Sequence, residues 1–288
     1  MLTLAQKGRL YQRYLCCLNT RKDMIAFSRA DFDQLLDHVD VIQHPSGDAL
    51  LYLIEDDICY LTFIMSTDER HFKELLLSLD SVAKEQNISV IKIHFNNPIK
   101  IPWLPQPEMT HPNYPGFPTD DPRAKWLFDA GYHINSVEEL YVIDLNDPHD
   151  YIFDQRISFY QPQDIDNLQL FIDQLHHPTW ENVLKDVMTH PEKPLLVAWH
   201  QQEIVGFTGP LFVEDSKRGA FAGIQVLEKA RRLGLGTALF HRLAFTLKGM
   251  GADYLTLFTG ENNPAKKIYL SLSGHVVKQF YTLKKTTE

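Results

Sequence analysis

The chain has 288 residues, of which 44% are hydrophobic and 23% charged, a balance typical of a globular protein. No apolar run approaches the roughly 20 residues that a membrane-spanning helix needs, and the first residues lack the apolar core of a signal peptide, so no membrane partner is expected. Three cysteines without a C-x-x-C pair argue against a disulfide framework and a cysteine-based zinc site. We therefore expect a cytoplasmic protein with no bound metal.

Charge is divided unevenly along the chain. Residues 1–150 carry 13 Lys and Arg against 23 Asp and Glu, a net charge of −10, whereas the remaining residues carry 15 against 14, a net charge of +1. The acidic first half would repel a polyanion, so nucleic-acid binding is not expected. In the second half the basic residues gather near one glycine turn, which favours a single small phosphorylated ligand.

The first half has the patterns of an α/β domain. Helices are predicted by spacing, and strands by alternation, in the following ranges: helices over 3–18, 31–38, 67–86 and 123–130, strands within 48–65 and 90–95, and a hairpin or two strands over 131–145. Residues 96–122 are rich in proline and are expected to form a long loop. Part of this loop, Tyr114 to Phe117, could reach over a binding site.

A polar joint at Asn146 to Asp150 separates the two halves, so one domain is predicted over 1–147 and another over 148–288. The second half repeats the order of elements in the first. Its predicted elements are strands at 156–160, 195–200, 204–213, 220–226 and 275–283 and from residue 254, and helices at 164–175 and 179–189 and from residue 236. Both halves are therefore expected to contain a sheet flanked by helices.

One stretch, Val226 to Phe240, carries a binding signal. A strand-like run ends at Val226, a basic turn with Gly234 and Gly236 follows, and a helix begins near Gly236. The glycines allow successive N–H groups to converge on an anion, and the helix start adds unsatisfied N–H groups and the positive end of its dipole. The turn lacks the third glycine of a dinucleotide fingerprint, and no G-x-x-x-x-G-K-[ST] motif occurs, so neither NAD nor ATP is favoured.

The run from Arg231 to Gly236 reads R-x-x-G-x-G, and it resembles the coenzyme A pyrophosphate loop of the GNAT acetyltransferases, whose pattern is [QR]-x-x-G-x-[GA]. Downstream, Asn262, Ala265 and Tyr269 match the N-x-x-A-x-x-x-Y pattern that follows a strand in that family. Two motifs in the family's order make the second half similar to a GNAT domain. The resemblance implies a mixed, mostly antiparallel sheet flanked by helices.

The resemblance also implies a site for acetyl-CoA, which would serve as the cosubstrate. Pantetheine would pair with free backbone groups of Ile224 and Val226, like an added strand. The pyrophosphate would bind the N–H groups of the turn. The residues implied in binding the coenzyme around this turn and the next helix are Arg231, Arg232, Leu233, Gly234, Leu235, Gly236, Thr237, Asn262 and Lys267.

Tyr269 stands where the resembled family keeps its general acid, and a phenol of pKa about 10 can donate a proton to a thiolate. A backbone N–H near Gln225 or Val226 would polarise the thioester carbonyl. No general base is predicted, because the strand that ends at Val226 carries no carboxylate. Trp180 and Glu181 are candidates to meet a cationic amine.

The first half resembles a GNAT domain at residues 124–132, A-K-W-L-F-D-A-G-Y, which look like the closing helix and the glycine–aromatic step. Between Met65 and Phe72, where such a domain has its phosphate loop, the chain reads S-T-D-E-R-H without a glycine. We therefore expect two GNAT-like α/β (α+β) domains, of which the first is a degenerate copy. An unrelated α+β domain is the alternative.

The expected function is transfer of an acetyl group from acetyl-CoA to a primary amine of a small molecule or peptide, by a monomer or a homodimer. The alternatives are a non-catalytic acyl-CoA binding or sensor protein and an O-acyltransferase on the same scaffold. One departure from the family is that Gly274 follows Tyr269 by five residues rather than four. The extra residue indicates either a bulge or a shifted helix end.

Overall fold

A computed structural model describes residues 2–95 and 97–287 of the chain, which divides into two compact units. The first unit holds the residues up to Leu140, together with Gly260–Asn262 and the residues from Val277 on. The second unit holds Tyr141–Thr259 and Asn263–Val276. Met1, Asn96 and Glu288, which fall within the predicted domains and the predicted loop, lie outside the described residues.

This division differs from the boundary expected after residue 147. It comes earlier in the chain, and it assigns the C-terminal strand to the first unit. The reason lies in strand pairing: Leu283 is in antiparallel register with Ile93, and Thr286 with Val90. Strand partners distant in sequence are not determined by the local pattern from which a boundary is predicted.

The helices and strands are numbered in chain order. The helices of the first unit are α1 Leu4–Leu18, α2 Arg29–Leu35, α3 Glu69–Glu85 and α4 Ala124–Asp129. Its strands are β1 Asp40–Gln43, β2 Ala49–Glu55, β3 Ile58–Met65, β4 Val90–Ile93, β5 Trp103–Gln106, β6 Met109–His111 and β7 Phe117–Pro118. β8 (His133–Asp144) begins in this unit, and β14 (His275–Thr286) ends in it.

The sheet of the first unit is mixed and mostly antiparallel. β1 pairs with β2 and β2 with β3 in antiparallel fashion, β3 and β4 are parallel, and β4 is antiparallel to β14. α3 buries an apolar stripe of Phe72, Leu75, Leu76 and Leu79, which is the stripe that its sequence spacing predicts. The expected topology of this half is therefore confirmed.

Two expectations for the first half are wrong in detail. The proline-rich stretch is not a plain loop, because β5 and β6 pair within it, with Trp103 opposite His111. The hairpin or two strands expected over 131–145 are one continuous strand, β8. Prolines interrupt any alternation in the first stretch, and in the second stretch alternation does not reveal whether a strand turns or continues.

The second unit contains these elements: β9 Ile157–Phe159, α5 Ile165–Asp173, α6 Pro178–Thr189, β10 Leu196–His200, β11 Glu203–Val213, β12 Arg218–Val226, α7 Leu235–Gly249, β13 Tyr254–Gly260 and α8 Lys266–Leu270. β13 ends at Gly260, which is counted with the first unit. β9 to β12 form an antiparallel series in the order 9-10-11-12, and β12 is then parallel to β13. This is again a mixed, mostly antiparallel sheet.

α7 anchors the second unit. Its leucines at 239, 243 and 247 are fully buried with Phe240 and Ala244, as their helical spacing predicts. They pack in one cluster with Leu196 and Val205 of the antiparallel strands and Leu255 of β13. The N-terminus of α7 is thereby fixed against the sheet beside the ends of β12 and β13.

Candidate functional site

β12 and β13 pair for only a short distance and then diverge. Their parallel register is limited to Arg218 with Tyr254 and Gly219 with Leu255, although β12 continues to Val226. The far half of β12 therefore has an edge that β13 does not pair with. An unpaired strand edge presents N–H and C=O groups that an extended ligand can bind.

The turn between β12 and α7 has an unusual backbone. Gly234 has a φ of 79° and is the N-cap of α7, and Arg232 has a φ of 66°. Positive φ is easily adopted by glycine but is strained for arginine, and such strain concentrates at functional sites. Residues of positive φ within a turn direct successive N–H groups toward a common point.

These N–H groups are free. From Arg232 to Thr237, no backbone N–H has a hydrogen-bond acceptor within residues 2–95 and 97–287, and the first bond of α7 runs from the N–H of Ala238 to the carbonyl of Gly234 at 3.0 Å. Six successive donors without an acceptor in the described residues therefore lie at the positive end of a 15-residue helix. This arrangement suits an anion with several oxygens.

Two cations stand beside these donors. Arg231 and Arg232 are exposed, and neither side chain has an ion pair or hydrogen bond within the described part of the chain. Lys229, on the same turn, is instead paired with Glu203 at 2.7 Å. The two arginines are thus available to an anionic ligand, whereas the lysine is engaged.

The unpaired strand edge, the turn and α8 enclose one cleft of about 620 Å³. Its lining residues are Ile224, Gln225, Val226, Ala230, Arg231, Arg232, Gly234, Leu235, Gly236, Thr237, Asn263, Pro264, Ala265, Ile268 and Tyr269. The turn gives the cleft cationic side chains and N–H donors. Ile224, Ile268 and the ring of Tyr269 add apolar surface, and Cδ1 of Ile268 would lie 3.4 Å from a β-carbon added at Gly236 of the turn.

Tyr269 is the buried polar residue of this cleft. Its side chain lies between Phe240 and Tyr141, with ring centroids 5.2 and 5.4 Å away. Burial raises the pKa of its phenol above the ordinary value, and the nearby hydroxyl of Thr259 acts weakly in the opposite direction. The phenol is therefore protonated throughout the neutral range and is available as a donor.

The extra residue before Gly274 shifts the end of α8 and is not a strand bulge. The N–H of Gly274 donates to the carbonyl of Tyr269 at 3.1 Å, and Ser273 has a φ of 56°, as in a left-handed helix end. A side chain at position 274 would lie 2.7 Å from the carbonyl oxygen of Tyr269. Glycine is therefore required at this position to close the helix that carries Tyr269.

No aspartate, glutamate or histidine is among the described residues that line the cleft. The nearest carboxylates in sequence are engaged or exposed. Glu203 pairs with Lys229, Glu214 pairs with Arg218 at 2.5 Å, and Asp215 and Glu228 face solvent. The cleft therefore contains a candidate acid in Tyr269 but no candidate base.

The structure brings most of the sequence-predicted site residues together. Leu233, Asn262 and Lys267 are exposed and are not among the residues that line the cleft. The prediction missed Asn263, Pro264 and Ile268, which do line it. The sequence contained a signal for Ile268, because Ala265, Ile268 and Tyr269 have the i, i+3, i+4 spacing of residues on one helix face.

Comparison with known proteins supports this geometry. The sequence model described as the Acetyltransferase (GNAT) family matches residues 158–274, which include the strands, the turn and both helices around the cleft. Residues 158–274 form a GNAT domain. Membership of this domain in the family implies acyl transfer from acyl-CoA.

Solved structures extend the likeness to the whole chain. A GCN5-related N-acetyltransferase from Sphaerobacter thermophilus is similar over 100% of this chain and 94% of its own, with a TM-score of 0.67 and 13% identity. A tandem GNAT protein from the clavulanic acid biosynthesis pathway is similar over 99% and 95%, with a TM-score of 0.59 and 12% identity. These likenesses show the fold, and the N-terminal region is therefore GNAT-like as well.

A third similar structure contains a GCN5-related glucosamine N-acetyltransferase region within a fungal multi-domain GH3 β-N-acetylglucosaminidase. It matches 96% of this chain with a TM-score of 0.64 and 14% identity, and this chain spans 36% of that protein. No curated protein matches the chain. Within residues 2–95 and 97–287, no helix is long and apolar enough to cross a bilayer, and no cluster of three His, Cys, Asp or Glu could hold a metal ion.

The N-terminal GNAT-like unit has closed the gap that the GNAT domain keeps open. β3 and β4 also diverge, after Tyr60 and Lys92, but there the side-chain amide of Asn97 donates to the carbonyl of Thr62 at 3.2 Å. The remaining cavity between these strands measures only about 50 Å³. At the start of α3 the carboxylate of Asp68 accepts the N–H of His71. Within the described residues, the gap between β3 and β4 is therefore largely filled, and a carboxylate already occupies the start of α3.

The GNAT domain also places an aromatic wall on β12. Trp180 of α6 stacks on His177 with ring centroids 4.0 Å apart and an interplanar angle of 16°. Its indole lies over Gly223, the neighbour of the cleft residue Ile224. Glu181 is occupied, because one of its carboxylate oxygens accepts the N–H of His177 at 3.1 Å.

Proposed function

We propose that this protein is an N-acetyltransferase that moves the acetyl group of acetyl-CoA to the primary amine of a small molecule or peptide. The observation that carries the proposal is the row of six free N–H groups from Arg232 to Thr237 at the head of the cleft. Coenzyme A presents a pyrophosphate and an amide-containing arm. A polar anion site joined to an unpaired strand edge fits both parts of such a ligand.

The residues of the cleft fit the coenzyme part by part. The N–H groups of the turn would bind the pyrophosphate, and Arg231 and Arg232 would add charge-assisted hydrogen bonds to its outer oxygens. The backbone groups of Ile224 and Val226 would pair with the amides of the pantetheine arm. Asn263 and Ile268, which line the cleft, replace Asn262 and Lys267 as the proposed contacts from the α8 side.

Acetyl-CoA supplies an activated thioester. In the transfer a bond forms between the acceptor nitrogen and the acyl carbon, the carbon–sulfur bond breaks, the nitrogen loses a proton and the sulfur needs one. The N–H groups near Gln225 and Val226 would stabilise negative charge on the carbonyl oxygen. The amine must arrive neutral or lose its proton to water, because no Asp, Glu or His lines the cleft within residues 2–95 and 97–287.

Tyr269 would act as the general acid. Its buried position raises the pKa of the phenol and keeps it protonated, and its side chain lines the cleft. A protonated phenol donates a hydrogen bond or a proton to the departing sulfur. The hydrophobic neighbours Phe240 and Tyr141 hold its ring in place.

The test is thiol release from acetyl-CoA by the full-length chain, measured across amino sugars, polyamines, amino acids, lysine peptides and the corresponding alcohols. We expect release with at least one amine. Tyr269→Phe should lower turnover by about 10²- to 10⁴-fold, the usual contribution of a general acid, while the Kd for the coenzyme stays the same. Tyr160→Phe, a buried tyrosine of the second unit that does not line the cleft, is the matched control.

Each failure has a separate meaning. If the wild type binds acetyl-CoA but releases no thiol with any acceptor, the protein is an acyl-CoA binding or sensor protein and the proposal is wrong. If only alcohols support release, it is an O-acyltransferase. If Tyr269→Phe retains full turnover, the transferase stands but Tyr269 is not its acid.

A further inference from the structure

The first unit has a cleft of its own, separate from the closed gap between β3 and β4. It measures about 760 Å³ and is lined by residues 19–23, Thr67, several residues between Pro118 and Trp126, and Lys278. Thr67 precedes α3 and Trp126 lies on α4, just as Gly234 precedes α7 and Ile268 lies on α8. This cleft thus lies near the start of α3 and beside α4, but no residue of β3 or β4 lines it.

Its chemistry is different from that of the coenzyme cleft. Both cations and carboxylates line it, and several of them are largely buried: the side chains of Arg21, Arg123 and Asp121 are 17%, 14% and 9% exposed. Burying so many charges is costly unless they are paired or used by a ligand. The charged side chains that lack a close partner within the protein therefore indicate what the cleft can bind.

Two of the carboxylates are satisfied within the wall. Asp121 accepts hydrogen bonds from Nε and Nη2 of Arg123 at 3.0 and 2.6 Å, and Asp23 accepts one from Nζ of Lys278 at 2.5 Å. Arg21 is held less tightly: its Nε lies 3.5 Å from Asp23 and its Nη1 lies 3.7 Å from Asp121, beyond hydrogen-bond reach for good geometry. Its short hydrogen bond is to the hydroxyl of Tyr114. Arg21 thus keeps donors to spare.

The rim of the cleft adds one free charge of each sign. Lys22 and Asp120 are exposed, and neither has an ion pair or hydrogen bond within the described residues. Trp126 supplies an aromatic surface between the two sides. The groups that remain available to a ligand are therefore the cationic donors of Arg21 and Lys22 and the carboxylate of Asp120.

We propose that this cleft binds a free, zwitterionic amino acid. Its carboxylate would pair with Arg21 and Lys22, its ammonium group with Asp120, and its side chain would pack on Trp126. A polyphosphate is disfavoured, because three carboxylates, Asp23, Asp120 and Asp121, line the same cleft. The proposal does not depend on the function proposed for the GNAT domain.

Calorimetric titration of the full-length chain with individual proteinogenic amino acids tests it. At least one amino acid should bind with one site per chain, and its α-amide, its N-acetyl derivative and inorganic phosphate should each bind at least about threefold more weakly. Lys22→Gln and Asp120→Asn should each weaken binding by about 3- to 10-fold; both residues are exposed, so neither change threatens folding. Lys125→Gln, exposed on α4 but outside the cleft, and Tyr269→Phe should leave it unchanged.

Three outcomes overturn the proposal. The first is that no amino acid binds at millimolar concentration. The second is that the amide, the N-acetyl derivative or phosphate binds as tightly as the parent amino acid, since the cleft then does not recognise a zwitterion. The third is that Lys22→Gln and Asp120→Asn have no effect while Tyr269→Phe does, which places the ligand in the GNAT domain as an acceptor.

Discussion

Gly223 and Trp180 meet across the face of β12, where a β-carbon added at position 223 would lie 2.6 Å from Nε1 of the indole. The indole of Trp180 can therefore pack against β12 only because position 223 has no side chain. Since Gly223 adjoins the cleft residue Ile224, the position of the indole fixes the space beside the proposed acyl site.

Replacing Gly223 with alanine should push the indole out of its position between His177 and Phe207. We expect a loss of about 1–3 kcal/mol in the free energy of unfolding, the usual effect of overpacking, together with a raised KM for the acceptor and an unchanged Kd for the coenzyme. Urea unfolding and steady-state kinetics measure these. Gly249→Ala is the control, because no atom lies within 4 Å of the added carbon there. Equal stability of Gly223→Ala and wild type would show that the indole is not held against the strand.

Arg231 and Arg232 should contribute to coenzyme affinity through charge. The double variant Arg231→Gln, Arg232→Gln should raise the Kd for acetyl-CoA by about 10- to 100-fold, because two charge-assisted contacts are lost, and it should reduce the dependence of Kd on salt. Lys229→Gln is the matched control on the same turn, since that ammonium group is already paired with Glu203. Equal Kd values for all three proteins would place the pyrophosphate elsewhere.

Gly234 should be required for binding as well as for folding. Its φ of 79° is costly for any side chain, and a methyl group there would enter the open space above the turn. We expect Gly234→Ala to lose about 1 kcal/mol of unfolding free energy and to weaken coenzyme binding at least tenfold. Gly251→Ala, with a φ of 95° and an equally open surrounding, should lose similar stability without any change in Kd. Parallel effects of the two variants on Kd would contradict the assigned role.

His241 should make the GNAT domain sensitive to acid. This histidine is buried on α7, its Nδ1 accepts the N–H of Ile152 at 3.1 Å, and its Nε2 lies 2.9 Å from the hydroxyl of Ser271. Burial lowers its pKa, and the charge of His149 lowers it further. As the pH falls below about 6.5, His241 becomes protonated in the unfolded chain but stays neutral in the folded chain. The free energy of unfolding therefore decreases until the pH reaches the lowered pKa of His241 in the folded chain.

Urea unfolding at pH 7.5 and pH 5.5 measures this decrease in the free energy of unfolding. His241→Gln should remove that part of the pH dependence, whereas His190→Gln, which alters an exposed histidine, should keep it. An identical pH dependence in wild type and His241→Gln would show that the buried histidine is not responsible.

The sequence identifies the parts of this fold whose signals are local. The leucine stripe of α7, the positive φ of Gly234 and the succession of strands β9 to β13 follow from periodicity and from the glycine at 234, whereas the positive φ of Arg232 does not. What it does not reveal is non-local. The pairing of β14 with β4 joins residues nearly 200 positions apart in the sequence. The residue pattern of neither strand indicates which strand it pairs with.

The candidate site shows the same limit at a finer scale. A motif match selected Asn262, and positive charge selected Lys267, whereas the cleft is lined by Asn263 and Ile268. Which of two adjacent residues faces a cleft depends on where the short helix α8 begins, and helix ends are poorly determined by local sequence. The role of Asn97, whose side chain fills the gap between β3 and β4, was also not predicted, because Asn97 lies in a proline-rich stretch without periodicity.

Titration calorimetry of acetyl-CoA with the full-length chain tests the central claim most directly. The free N–H groups of the glycine turn and the closed gap of the first unit predict one site per chain, with binding weakened by Gly234→Ala and by the double arginine variant but unaffected by Gly251→Ala and Lys229→Gln. The absence of binding, two sites per chain, or an affinity unaffected by changes at the turn would contradict it.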